Sequence, residues 1–102
     1  MFFEDLLMYQ ESWERLSAKA EVFKALSHPS RVFIVERLLE REHCVHELAE
    51  MIGVEMPTIS RHLSVLKNAR IIACRKENNN VLYRMKCNCI KDTLLCVEMA
   101  EE

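Results

Sequence analysis

The chain has 102 residues, half of them apolar, with one glycine, two prolines and five cysteines, and a net charge of −2. That size allows one domain with a modest core, the apolar content excludes a disordered chain, and the shortage of turn-forming residues excludes an all-β fold. The odd cysteine number argues against a complete disulfide framework, Met1–Asp5 lacks the basic start of a secretion signal, and no run approaches the roughly 18 apolar residues of a membrane span, so a cytoplasmic location is expected.

Helical spacing opens the chain, with Phe3, Leu6 and Leu7 followed by Trp13, Leu16, Ala20 and Phe23. Ser27-His28-Pro29-Ser30 ends this first helix, because proline disfavours helical geometry in the residue before it. Ser30 is the expected cap of a second helix, Arg31 to Arg41, with Val32, Val35, Leu38 and Leu39 inward. A third helix spans Val45 to Met51, burying Leu48 and Ile52, and Gly53 stops it. Pro57 suits the first turn of a fourth, running to about Asn68. The period then changes. Ile71–Glu77 and Val81–Lys86 are rich in β-branched and aromatic residues and flank Asn78-Asn79-Asn80, which predicts a hairpin with a short polar tip. A last helix, Ile90 to Ala100, carries Ile90, Leu94 and Val97 on one side. The expected fold is one domain over residues 1–102, mainly α with a small β-hairpin, in the order α-α-α-α-β-β-α. That is a winged helix-turn-helix, with the helix-turn-helix at 45–68 and the wing at 71–86.

Charge is unevenly placed along this order. Residues 57–91 hold eight bases and one acid, +7, whereas residues 1–56 carry −5 and residues 92–102 carry −4. Such a block is an electrostatic footprint for a polyanion, above all double-stranded DNA. On the fourth helix Ile59, Leu63 and Leu66 form a buried stripe, and Arg61 lies almost opposite Ile59. Arg61 is placed to pair with guanine, and Thr58, Ser60, Ser64 and Lys67 to meet phosphates or base edges. His62 lies at the boundary, where DNA contact and packing at the rim are both open. Arg75, Lys76, Asn78, Asn79 and Asn80 form the wing, set against the backbone or minor groove. The helices at 1–26 and 90–102 remain for dimerisation, since Phe2, Phe3, Leu6, Leu7, Met8 and Trp13 exceed what one small core absorbs. An enzyme is not expected: there is no glycine-rich phosphate loop, and His28, His43, His46 and His62 form no partnered set with a nucleophile.

The stretch "FKALSHPSRVFIVERLL" (Phe23–Leu39) resembles the opening of the ArsR–SmtB family of arsenic- and metal-responsive repressors. "CVHELAEMIGVEMPTISRHLSVLKNARII" (Cys44–Ile72) is similar to that family's helix-turn-helix, and "RKENNNVLYRM" (Arg75–Met85) to its wing. The resemblance covers residues 20 to 90 and implies a homodimer that represses an operon until a ligand releases it from operator DNA. It also implies that effector sites differ between members.

One family arsenic site, "CVCDLC" at the start of the third helix, falls here on Cys44, His46 and Ala49, so only Cys44 is kept as cysteine and His46 is a substitute ligand. A second family site, on the last helix, has its first ligand pair at Cys87 and Cys89. Its second pair falls on Ala100 and past residue 102, and Cys96 stands in for it. Three sulfurs at Cys87, Cys89 and Cys96 point to As(III), Sb(III) or a soft divalent ion as effector, with no obligatory cofactor. Cys89 and Cys96 on one ideal helix would lie about 10.5 Å apart along its axis, too far for one ion. Either the chain folds back before the helix or Cys96 comes from the partner subunit. The alternative is a redox- or sulfide-responsive repressor switching through a cysteine disulfide or polysulfide. Relatives of that kind have a cysteine near the position of Glu36, and a pairing of Cys89 with the partner's Cys96 would replace it. Cys74, in the first wing strand, is expected to pack.

Overall fold

A computed structural model of the chain describes residues 3–100, with side chains from residue 12 onward. Helix α1, Phe3–Ala25, is a single 23-residue rod, about 35 Å long. It closes on Leu26 and Ser27, whose amides turn back to the carbonyls of Phe23 and Lys24. Helix α2 spans Pro29–Glu40. Its start corrects the sequence expectation. Proline at the first helical position lacks the amide that would go unpaired there, so the helix begins before Ser30. The cap is His28, extended at φ −144°, whose ring Nδ1 accepts the Ser30 amide at 3.0 Å. Helix α3, Val45–Ile52, ends on Gly53 at φ +84°, a left-handed C-cap whose amide returns to the Ala49 carbonyl at 2.8 Å. Helix α4 is Met56–Asn68 and α5 is Ile90–Ala100.

The strands depart from the expected simple hairpin. Strand β1, His43–Cys44, precedes α3 and pairs antiparallel with β3, Asn80–Met85, which pairs in turn with β2, Ile72–Glu77. The order β1-β3-β2 makes a three-stranded sheet, and the element order α-α-β-α-α-β-β-α replaces the expected one. Two residues are too short for any alternation to reveal β1 in the sequence. Asn80 pairs with Glu77 inside the sheet, so the tip shrinks to Asn78-Asn79, with Asn78 at φ 57°.

Ile34, Val35 and Leu38 of α2, Leu48 and Ala49 of α3, Ile59, Leu63 and Leu66 of α4, Ile71 just before β2, and Ile72 and Met85 of the sheet form one core. Ile34 was not among the expected inward residues; Val32 and Leu39 are half-buried. The N-terminal end of α3 is anchored by Glu47. It accepts the Cys44 amide (3.2 Å) and Arg41 Nη2 (2.9 Å), and lies 3.3 Å from Nδ1 of His43, which is 2% exposed. The Arg41 guanidinium, then the Cys44 amide, hold the Glu47 carboxyl down at about 2, from 4.5. A depressed carboxylate contributes stability that is full above pH 4.5 and is lost as pH falls toward 2. Glu47→Gln keeps the amide acceptor but not the charge. Solvent screening of this one-third-exposed group limits the expected loss to about 1 kcal/mol at pH 7. The difference from wild type should vanish in thermal melts near pH 2; a gap that persists there would refute the assignment.

Two helices leave apolar surface uncovered. The radius of gyration is 16.6 Å, against about 13 Å for a compact chain of this size. Among its described side chains α1 packs at its end, through Val22 and Ala25 with Leu26 just beyond, while Trp13 (70% exposed), Leu16 and Phe23 repeat along its open side. In α5, Ile90 and Leu94 pack on the core, but Leu95, Val97 and Met99 are exposed. Val97, on the same helical side as Ile90 and Leu94, is exposed. Of the apolar residues assigned to dimerisation, the side chains of Phe2, Phe3, Leu6, Leu7 and Met8 lie outside the described residues. No helix among the described residues is long and apolar enough to cross a membrane.

Candidate nucleic-acid interface and cysteine cluster

Helix α4 divides as its sequence period requires. Ile59, Leu63 and Leu66 are fully buried, which holds the opposite face outward: Ser60, Arg61, Ser64 and Lys67 are exposed and Thr58 is half-buried. Neither Arg61 nor Lys67 enters a salt bridge among the described residues. Of the eight bases between 57 and 91, only Arg75 does.

His62 leaves that open face. Its Nδ1 lies 3.2 Å from Nη1 of Arg31, and its ring centroid is 4.5 Å from that of His28. Burial, then the charges of His28, Arg31 and Arg61, hold its imidazole below the ordinary value. The His28 and Arg31 supports were not legible as site residues, because they reach α4 only through packing of the α1–α2 turn against it. Arg31 is itself fixed by donation from Nε to the Ala25 carbonyl at 2.6 Å.

In the wing, Arg75 is committed within the protomer. Nη1 donates to Glu77 at 2.7 Å and Nη2 to Glu42 at 2.8 Å, and both acids raise its pKa. It ties β2 to the segment entering β1. Lys76, Asn78, Asn79 and Asn80 are exposed, and so is Arg84 on β3, a base not singled out from sequence.

The five cysteines are all free thiols. Cys87 and Cys89 lie between β3 and α5, both exposed and two residues apart. The Cys89 thiol and amide draw the Cys87 pKa down, and the Cys87 thiol pushes Cys89 up. Cys96 is exposed farther along α5. The helix does begin after Cys89, yet within one chain no three His, Cys, Asp or Glu residues among those described form a metal-holding group. Cys44 is a half-buried N-cap of α3, His46 is exposed 3.5 Å from Glu50, and Cys74 is half-buried beside β3 in register with Tyr83.

Residues 28–73 match the family described as "Bacterial regulatory protein, arsR family". The chain is 40% identical over 72 residues to the HTH-type transcriptional repressor SmtB of Mycobacterium tuberculosis, covering 71% of this chain and 53% of that one, so it spans about half the length of this curated relative. It is 38% identical over 79 residues to the biofilm growth-associated repressor of Xylella fastidiosa, covering 76% of this chain and 69% of that protein. The solution structure of the homodimeric winged helix-turn-helix DNA-binding domain Mb0332 from Mycobacterium bovis superposes with a TM-score of 0.80 at 26% identity, over 88% of this chain and 83% of that one. Two of the three are repressors and the third is a DNA-binding domain.

Proposed function

We propose, from the premise that the chain belongs to the arsR family of bacterial regulatory proteins, that it is a repressor which binds operator DNA as a homodimer and releases it when a soft metal ion or metalloid is captured by cysteine thiolates. The observation that carries the DNA reading is the outward face of α4, where Ser60 and Ser64 are exposed and Arg61 and Lys67 are in no salt bridge among the described residues, beside a hairpin carrying Lys76 and Arg84. A two-fold dimer would cover the open sides of α1 and α5 and offer two α4 helices to a palindromic site. The homodimeric state of Mb0332 supports that arrangement.

The adjacent Cys87 and Cys89 thiols supply two soft ligands, and the lowered Cys87 thiol favours the thiolate that a metal needs. They fit the first half of a thiolate site; the third sulfur is the partner's Cys96. Arsenite or antimonite suits three such sulfurs. Capture beside the first turn of α5 would shift the two α5 helices and with them the spacing of the two α4 helices.

The test mixes subunits. Each of Cys87→Ser, Cys89→Ser and Cys96→Ser should abolish arsenite-driven release of a labelled operator duplex. A heterodimer of a Cys87/Cys89 double variant with a Cys96 variant should regain one of two sites. Release by arsenite that survives loss of all three cysteines would sink the site. The free, exposed thiols of Cys87 and Cys89, two residues apart, also favour a second reading, a redox or sulfide switch; release by an oxidant or persulfide donor and by no metal would select it.

A further inference from the structure

The His28–His62 pair carries a consequence for the α4 surface that neither histidine has alone. Each ring's Nδ1 faces a group that can only donate. For His28 it is the backbone amide of Ser30, at 3.0 Å, and for His62 the guanidinium of Arg31, at 3.2 Å. Both Nδ1 atoms therefore accept, and each neutral imidazole carries its single proton on Nε2. Neither Nε2 has a protein partner among the described residues. The buried side-chain nitrogens without a partner are Arg37 Nε and His43 Nε2, so His62 Nε2 opens to solvent, and His28 is exposed. The rings lie 4.5 Å apart, tilted by 46°, with the Arg61 side chain next to His62 in sequence on the exposed face of α4.

We infer that His28 and His62 form a tautomer-locked clamp, whose two Nε2–H donors bind one backbone phosphate of the DNA alongside the α4 helix. The inference rests on the reading of α4 as the helix that enters the major groove. A helix seated there has the sugar-phosphate backbone running past its flank, and phosphate contacts set the register of the protein on the duplex. For His62 a second proton could sit only on Nδ1, where it would set a positive charge against Arg31. Burial, the largest cause, holds the His62 imidazole below its ordinary value and agrees with this. A neutral N–H donor gives a hydrogen bond to phosphate without counterion release, unlike Arg61 or Lys67.

Asparagine separates this role from simple bracing of α2 on α4. His28→Asn is a good N-cap and keeps an acceptor for the Ser30 amide, and His62→Asn keeps an acceptor near Arg31, but both lose the Nε2–H arm. The full-length His28→Asn/His62→Asn variant should melt at the wild-type temperature. It should bind a fluorescein-labelled mixed-sequence 24-bp duplex at low salt about ten- to thirtyfold more weakly, as expected for two neutral hydrogen bonds. The slope of log affinity against log salt should stay unchanged. Long-range ¹H–¹⁵N spectra of the wild type should show both rings as Nε2–H at pH 7.5, with both signals moving on addition of the duplex. A double variant that binds within twofold of wild type, or either ring in the Nδ1–H form, would overturn the clamp while leaving DNA binding intact. A folded wild type that binds no duplex at all would instead overturn the reading of α4, and the clamp with it.

Discussion

Replacing Arg61 with alanine should lower DNA affinity tenfold to a hundredfold and leave the folded protein as stable as before. The side chain is exposed at the middle of the outward face of α4 and is in no salt bridge of the described residues, so its removal costs the protomer nothing it uses. In the complex it is the one guanidinium on that face, and a bidentate contact to guanine is worth about 1–3 kcal/mol of discrimination. Anisotropy titrations over a range of salt concentrations separate two ways in which Arg61 can act. A base contact relaxes preference at one position of the operator, whereas a phosphate contact weakens all sequences alike and lowers the salt slope by about one. Arg75→Ala supplies the contrast. That guanidinium is already shared between Glu42 and Glu77, and its loss frees two acids near the wing instead of removing an uncommitted base. Equal affinity of Arg61→Ala and wild type for every duplex, at every salt concentration, would remove α4 as the reading helix.

Leu63→Ala should destabilise the fold by about 2–5 kcal/mol, the range for emptying a fully buried leucine site. Leu63 is wholly inaccessible, at the centre of the stripe Ile59, Leu63 and Leu66 that packs α4 into a core shared by α2, α3 and the sheet. Few groups border only flexible surface there, so little of the cavity can close. A domain of this size has about 5–15 kcal/mol in total, and each kcal/mol moves its melting temperature by roughly 4–8 °C. Circular dichroism melts should therefore show a fall of more than about 10 °C. Val65→Ala, on the same helix but partly exposed, should cost well under half as much. Matching melts for the two variants would show that α4 is not held by its apolar stripe. The two substitutions, two residues apart, thus divide the helix into a face that holds it and a face that acts.

That division was legible without coordinates, because a helix repeats every 3.6 residues and Ile59, Leu63 and Leu66 obey that spacing while Ser60, Arg61 and Ser64 fall outside it. The same local physics placed Gly53 at a left-handed cap and turned the chain at Asn78. It also marked the first helix as over-supplied with apolar residues; of those named, Trp13 lies among the described side chains and is open. Local rules failed where a partner is distant in sequence. Ser30 has the better capping side chain, yet His28 caps α2, because Pro29 shifts the helix start and its imidazole reaches the Ser30 amide. Strand β1 exists because β3 offers His43 and Cys44 an unpaired edge, something a two-residue segment cannot announce.

The cysteines divide in the same way. Spacing alone put Cys87 and Cys89 together, two residues apart between β3 and α5. Spacing also set Cys96 too far along one helix to join them, and within one chain they form no three-ligand group among the described residues. What the sequence by itself determined is every feature governed by neighbours a few residues apart: helix faces, caps at Gly53 and the hairpin tip, the basic block, and the soft ligand pair. What only the tertiary structure decided is what needs two elements to meet. Arg75 became a strut because the fold brings Glu42 to it from the segment before β1, and His62 took its partners from the α1–α2 turn and the first turn of α2. A side chain's chemistry is written in its own residue; its availability depends on which groups the fold brings within about 3 Å of it.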